Sequence, residues 1–298
     1  MKKILLQISL LFLIWCSLFQ SLKGDGVMTL PDGNTLCYED QSHGQPIVFI
    51  TGWTGTHLFF EKQIAYFSQR YRAITFDPRG QGLSPSTLSH NTYEQHGKDL
   101  HDLIEKLQLK DVILVGWSFG CRDAYAYVRQ YGTQNIKAVV CIDQAPKGAG
   151  QADEWHSPGA GEKRQAASNG IEHDRYNFTK QLVVGMNDRE LTSAEIQKWT
   201  DQMLQTPSYV ALLLLGDASL TDYTKEAELL DKQNIPVLNV VASPVAALSA
   251  AWLKIHAPHA TLIKTWDKHM MFWEHADEFN QALDDFLKQA THAADIKK

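Results

Sequence analysis

The chain alternates short, mostly apolar runs with amphipathic stretches, the pattern of strands and helices taking turns. Apolar runs of four to seven residues occur at 46–50, 71–76, 112–115, 136–142, 236–242 and 260–264. Runs of that length and character suit strands covered on both faces of a parallel sheet. Between them, residues 57–70 and 93–109 carry apolar positions at helical spacing, and residues 271–290 predict a closing helix. Upstream, the segments 27–30 and 35–38 flank Pro31-Asp32-Gly33-Asn34, whose turn residues predict a hairpin. Strands alternating with helices imply right-handed βαβ units. The expected fold is α/β, with a mostly parallel eight-stranded sheet flanked by helices.

The alternation stops between residues 147 and 233. Residues 147–169, rich in Gly, Ala and charge and without a period, predict a loop. Helices are expected at 193–204 and 209–215, the first opened by a capping box of Thr192 and Glu195. A mainly helical cap inserted after the sixth strand accounts for this block. The division is then 25–146 and 234–298 for the core and 147–233 for the insertion. The first residues differ from the rest. Lys2-Lys3 precedes an almost wholly apolar run at 4–19, which predicts a secretory leader over residues 1–24. An uncleaved anchor through residues 4–19 is the alternative, so the expected location is periplasmic, secreted or membrane-anchored.

Charge and cysteine usage narrow the function classes. A net charge of −6 and a pI near 6.0, with no basic stripe, exclude a nucleic-acid binder. Cys37, Cys121 and Cys141 have no metal-ligand spacing and set no disulfide framework; Cys121 and Cys141 read as small core residues. No metal or cofactor is expected, and the expected partner is a small-molecule substrate.

The chemistry gathers around Gly116-Trp117-Ser118-Phe119-Gly120, a G-x-S-x-G between the apolar run 112–115 and a helical pattern. A serine on a sharp strand-to-helix turn needs glycine on either side to leave room for the backbone. The turn lifts its hydroxyl to the positive end of a helix, where a developing oxyanion is stabilised. Three further motifs stand in order around it. Thr51-Gly52-Trp53 follows one strand, Asp77-Pro78-Arg79-Gly80-Gln81-Gly82-Leu83-Ser84 follows the next, and Lys268-His269-Met270-Met271-Phe272-Trp273-Glu274 lies after the last.

In these four motifs the chain resembles the α/β-hydrolase fold superfamily over nearly its whole length beyond the leader. It is most similar to the capped serine esterase, haloperoxidase-like and epoxide-hydrolase-like group. The resemblance implies Ser118 as nucleophile and His269, in the loop after the last strand, as base. It implies the backbone N–H groups of Trp53 and Phe119 as oxyanion hole. Asp77 and Arg79 read as a structural pair bracing their turn. His43, His90, His96, His101, His156, His173 and His292 fall in polar or peripheral segments, His256 and His259 precede the last strand, and His275 reads as solvated.

The acid departs from the common pattern, because Ser243-Pro244-Val245-Ala246-Ala247 stands where most relatives carry an aspartate. Some members take the acid from the end of the preceding strand, and Asp143 occupies that position here; Asp267 is the alternative. Trp117, Phe59 and His57 are candidates for lining the pocket. The aromatic residues near Ser118 point to a small, largely uncharged substrate.

The expected activity is hydrolysis of a carboxylic ester through an acyl-enzyme. Lactone or amide hydrolysis and perhydrolysis are open on the same residues. A non-catalytic binding or signalling protein on this fold is the competing class. Epoxide hydrolysis and dehalogenation are disfavoured, since relatives performing them carry an aspartate at the Ser118 position.

Overall fold

Residues 25–148, 155 and 160–295 are described by a computed structural model; the leader expected over 1–24 lies outside them. The hairpin comes first, β1 (Asp25–Thr29) pairing antiparallel with β2 (Thr35–Gln41). Gly33 makes the turn at φ 87°, a backbone region that costs glycine little. Six strands follow: β3 (Pro46–Ile50), β4 (Arg72–Phe76), β5 (Val112–Trp117), β6 (Ile136–Ile142), β7 (Val237–Val240) and β8 (Thr261–Ile263). They form one eight-stranded sheet in the order β1-β2-β4-β3-β5-β6-β7-β8. β1–β2 and β2–β4 are antiparallel and the rest parallel. Every residue of β3 and β5 is buried, as an apolar run with no exposed face requires.

The strand order carries a functional consequence. β3 runs out to β4 on one side, and the chain then crosses back to place β5 on the other. The strand order reverses at β3, and at such a switch point α/β sheets bind ligands at the carboxyl ends of their strands.

Helices cover both faces. A 3-10 turn at His57–Phe60 leads into α1 (Glu61–Phe67). Next come α2 (Tyr93–Lys106) and α3 (Gly120–Tyr131), which pack closely because Gly97 lets α2 approach the backbone of Ala126. Between β6 and β7 stand α4 (Ala160–Gly185), α5 (Ser193–Leu204), α6 (Ser208–Leu220) and α7 (Thr224–Lys232). The chain ends with α8 (Ala246–His256), α9 (Met271–Glu274) and α10 (Ala276–Asp295). Two buried apolar clusters lie on the two faces of the sheet. Among the described residues no helix is long and apolar enough to cross a membrane.

Two expectations need correction. Residues 160–169 are helical rather than loop. Their Ala, Lys, Arg and Gln favour helix by intrinsic propensity, and with little apolar face to bury they show no period. The closing helix is two helices, interrupted at His275 (φ −109°, ψ 45°). α4 is likewise broken at Asp174 (φ −154°, ψ 72°), whose carboxylate accepts from the backbone and side-chain N–H groups of Asn177.

Candidate active site

Ser118 sits between β5 and α3 at φ 52°, a left-handed conformation that L residues rarely adopt. The fold enforces it. Ser118 N–H donates to the Ile142 carbonyl at 2.8 Å, and its own carbonyl accepts from Cys121 N–H at 3.0 Å. A side chain at Gly116 would strike the start of α3, and one at Gly120 would strike the Ile50 carbonyl. Both glycines of the motif are thus required by close backbone approach. Gly52 works in the same way from the neighbouring loop: a Cβ there would lie 2.8 Å from that of Ser118.

The loop carrying Gly52 and Trp53 is braced from below. Thr54, itself at φ 59°, donates its N–H to Gln81 Oε1 at 2.6 Å, and Gln81 Nε2 donates back to the Gly52 carbonyl at 3.3 Å. Gln81 belongs to the turn after β4, which gives that motif a task the sequence reading missed. From above, Trp53 Nε1 donates to the Ala211 carbonyl on α6 at 2.9 Å.

Asp143 follows β6, also at positive φ (52°). One carboxylate oxygen accepts from Ala242 N–H at 2.9 Å, and the other lies 2.6 Å from His269 Nδ1. The segment after β7 has no carboxylate of its own, and it contributes a backbone donor to one that arrives from β6. The His269 loop is held by Trp117 Nε1, which donates to the His269 carbonyl at 3.0 Å, and by Met270 N–H bonded to the Met186 carbonyl at the end of α4. Ser118, Phe119, Asp143 and His269 therefore converge at one place on the rim of the sheet. Asp267 is exposed and makes no such contact.

Ser118 and His269 border two spaces. The larger, about 670 Å³, is apolar, floored by Trp53, Trp117 and Phe119 and roofed by Phe178, Leu182 and Leu215 of the inserted helices. The smaller, about 460 Å³, is mixed: Asp143, Gln144, Lys163 and Arg164 stand in its wall beside Ala145, Trp155 and Val245. Sequence reasoning missed the roof and the polar wall. Phe178, Leu182 and Met186 recur every four residues, so the helical stripe could have pointed to the roof. Nothing in the pattern around Lys163 and Arg164 marks them.

Two pocket candidates belong elsewhere. Phe59 is fully buried between Trp117 and Trp199, ring centroids 5.2 and 4.5 Å away, and supports the floor without reaching the space above. His57 faces a separate small pocket beside Tyr38 and Leu83, its Nδ1 3.0 Å from Asp77 Oδ1. Trp117 does line the larger space, though it is only 2% exposed.

Asp77 and Arg79 are not a pair. Asp77 accepts from the N–H groups of His57 and Leu83, whereas Arg79 forms a two-pronged ion pair with Asp99 and also reaches Asp32. His96 is not peripheral: it is buried, with Nδ1 3.2 Å from the buried Asp123. Burial alone would lower the His96 pKa, but the Asp123 charge and hydrogen bond leave it raised; burial raises Asp123 in spite of the histidine. His275 is half-exposed and stacks on Trp266, centroids 6.3 Å apart. Cys121 and Cys141 are buried and all three described cysteines are free thiols. One group among the described residues, Asp188, Glu274 and His275, brings possible metal-ligand atoms within 4.8 Å of one another. Both Glu274 oxygens already accept from the N–H groups of Asp188 and Arg189, so the group acts as a tie between the end of α4 and the histidine loop.

Comparison with known proteins agrees with this architecture. The family model described as alpha/beta hydrolase fold matches residues 45–276. A non-heme chloroperoxidase of Kitasatospora aureofaciens is 29% identical over 224 residues, covering 72% of this chain and 79% of its own. The bromoperoxidase structure from Bacillus anthracis superposes with a TM-score of 0.79 at 27% identity, over 89% of this chain and 99% of that one. An esterase from Exiguobacterium antarcticum shares the fold at 20% identity, with a TM-score of 0.77 over 88% and 98% of the two chains. The chain belongs to the α/β-hydrolase fold family, and it is an enzyme, a hydrolase of that fold.

Proposed function

We propose that the enzyme cleaves carboxylic esters through an acyl-enzyme on Ser118, with His269 as base and then acid and Asp143 as its orienting partner. One observation carries the reading. The 2.6 Å contact between His269 Nδ1 and Asp143 leaves Nε2 free to serve Ser118, which borders the same space at a strained φ of 52°. In the first half-reaction Nε2 takes the Ser118 proton as Oγ bonds to the substrate carbonyl carbon. The Trp53 and Phe119 N–H groups stabilise the oxyanion. Collapse breaks the bond to the alkoxide, which leaves with the proton from His269. Water then repeats the sequence on the acyl-enzyme, releasing the acid and restoring the serine. Asp143 holds the imidazole tautomer and offsets its transient positive charge.

Esterase and lactonase names among the relatives, including a 3-oxoadipate enol-lactonase of Acinetobacter baylyi, agree with acyl chemistry. The haloperoxidase names favour a second reading, in which hydrogen peroxide takes the place of water and releases a peracid. A p-nitrophenyl ester series separates outcomes. Wild type should show a burst of one p-nitrophenol per active site and Ser118→Ala none; turnover surviving in Ser118→Ala would refute the acyl-enzyme. Peracid released in the presence of peroxide would support the second reading.

A further inference from the structure

The smaller space beside Ser118 has two cations in its wall that form no ion pair among the described residues. Lys163 borders both spaces and Arg164 the smaller one. Arg164 Nη1 is buried with no hydrogen-bond partner, and among the described residues neither cation forms an ion pair. A half-buried guanidinium left unpaired is costly. Its surroundings add to that cost. Arg122, fully buried beneath the Phe119 ring with its guanidinium carbon 5.1 Å from the ring centroid, bonds only neutral oxygens, those of Thr221 and the Lys147 carbonyl. Arg122 Nε has no partner either. Burial, and then the Arg122 charge, hold the Arg164 guanidinium below its ordinary range. Asp143 is the one carboxylate in this wall, and both its oxygens are occupied, by Ala242 N–H and His269 Nδ1. Among the described residues no carboxylate pairs with either cation.

We propose that the substrate itself carries a carboxylate, bound in the smaller space by Arg164 and Lys163, with its scissile carbonyl at Ser118 and its apolar remainder in the larger space. The proposal rests on the reading of Ser118 as nucleophile. It names the substrate class as an ester bearing a free carboxylate, such as a hemi-ester of a short dicarboxylic acid. Arginine's planar fork matches a carboxylate in two-pronged geometry, and lysine adds a mobile second charge at the mouth. Both spaces meet at Ser118 and His269, so a bond held there can extend one polar and one apolar arm. The uncharged substrate expected from the sequence followed from the aromatic floor alone and took no account of this wall.

The test compares kcat/KM of the full chain for monoethyl glutarate and for neutral ethyl hexanoate, read by acid release at constant pH. Wild type should prefer the anionic ester at least tenfold. In Lys163→Gln/Arg164→Gln that selectivity ratio should fall by about ten- to a hundredfold, with partial recovery in Arg164→Lys. Thermal melting checks that each variant is folded. Equal preference in wild type, or a variant that loses both esters in proportion, would overturn the proposal. A separate arm titrates Ser118→Ala with glutarate by calorimetry. Binding that disappears in Ser118→Ala/Arg164→Gln supports the anion site even if neither ester is turned over, which would count against the ester reading alone. No binding at millimolar glutarate overturns the anion site while leaving that reading intact.

Discussion

Ser118 and Asp143 share an unusual property: each is a non-glycine residue at φ 52°, directly after a parallel strand. Strain of that kind persists only where surroundings over-determine it, and here backbone bonds to the Ile142 and Val240 carbonyls do so. The consequence is that two side chains of the proposed triad stand at fixed positions at the strand ends, and the proposed acid can be tested alone. Asp143→Asn preserves shape but offers His269 the wrong hydrogen-bond pattern, and kcat on a p-nitrophenyl ester should fall about 10⁴-fold, as serine proteases show for the analogous change. A loss of less than about tenfold would move the acid elsewhere. Phe59 gives the opposite expectation. Removing a ring wedged between Trp117 and Trp199 should cost about 3–5 kcal/mol in urea unfolding, with no selective effect among ester chain lengths. Single residues explain why the candidates divided as they did. Ser118 announces itself through flanking glycines, whereas Phe59 and His57 differ from pocket residues only in which way they face, and adjacency in sequence does not encode that.

At the level of elements, strands were the most legible part of the chain. β3 and β6 begin and end where their apolar runs do, because a strand buried on both faces admits few polar residues. α5 was equally readable, since Thr192 and Glu195 form the reciprocal cap in full. Thr192→Ala should therefore cost about 1 kcal/mol, measured by chemical denaturation. Glu195 adds a pH dependence. The Arg189 hydrogen bond, first of all, and the Thr192 N–H hold its carboxyl down to about 2, against 4.5 ordinarily. A carboxyl depressed on folding stabilises the native state above its unfolded pKa, and that contribution is lost as pH falls from 4.5 towards about 2. Because the pair is at the surface, Glu195→Gln should flatten the acid side of the Tm profile by only a few tenths of a kcal/mol. α4 was illegible for the complementary reason. Its first turns bury no apolar stripe; they present Lys163 and Arg164 to a space whose existence depends on elements far away in sequence.

Across the whole molecule, the sheet order accounts for the site. Because β3 lies between β4 and β5, the loop holding Gly52 and Trp53 stands against Ser118, and β6 brings Asp143 alongside. His269 arrives from beyond β8, tied through Trp117 and through Met186 just after α4. A chain of net charge −6 nonetheless places near Ser118 two arginines, Arg122 and Arg164, that form no ion pair among the described residues, a contrast that composition hides and geometry reveals. Arg79 makes the structural counterpart: buried and paired with Asp99 and Asp32, it should cost about 3–5 kcal/mol when replaced by alanine, read as a loss of thermal stability. The central claim is that Ser118 is the nucleophile, and peptide mapping after treatment with a fluorophosphonate tests it most directly. The account predicts one adduct, on Ser118, formed in wild type and suppressed in His269→Ala; an unmodified Ser118 in active enzyme, or an adduct on another residue, would contradict it.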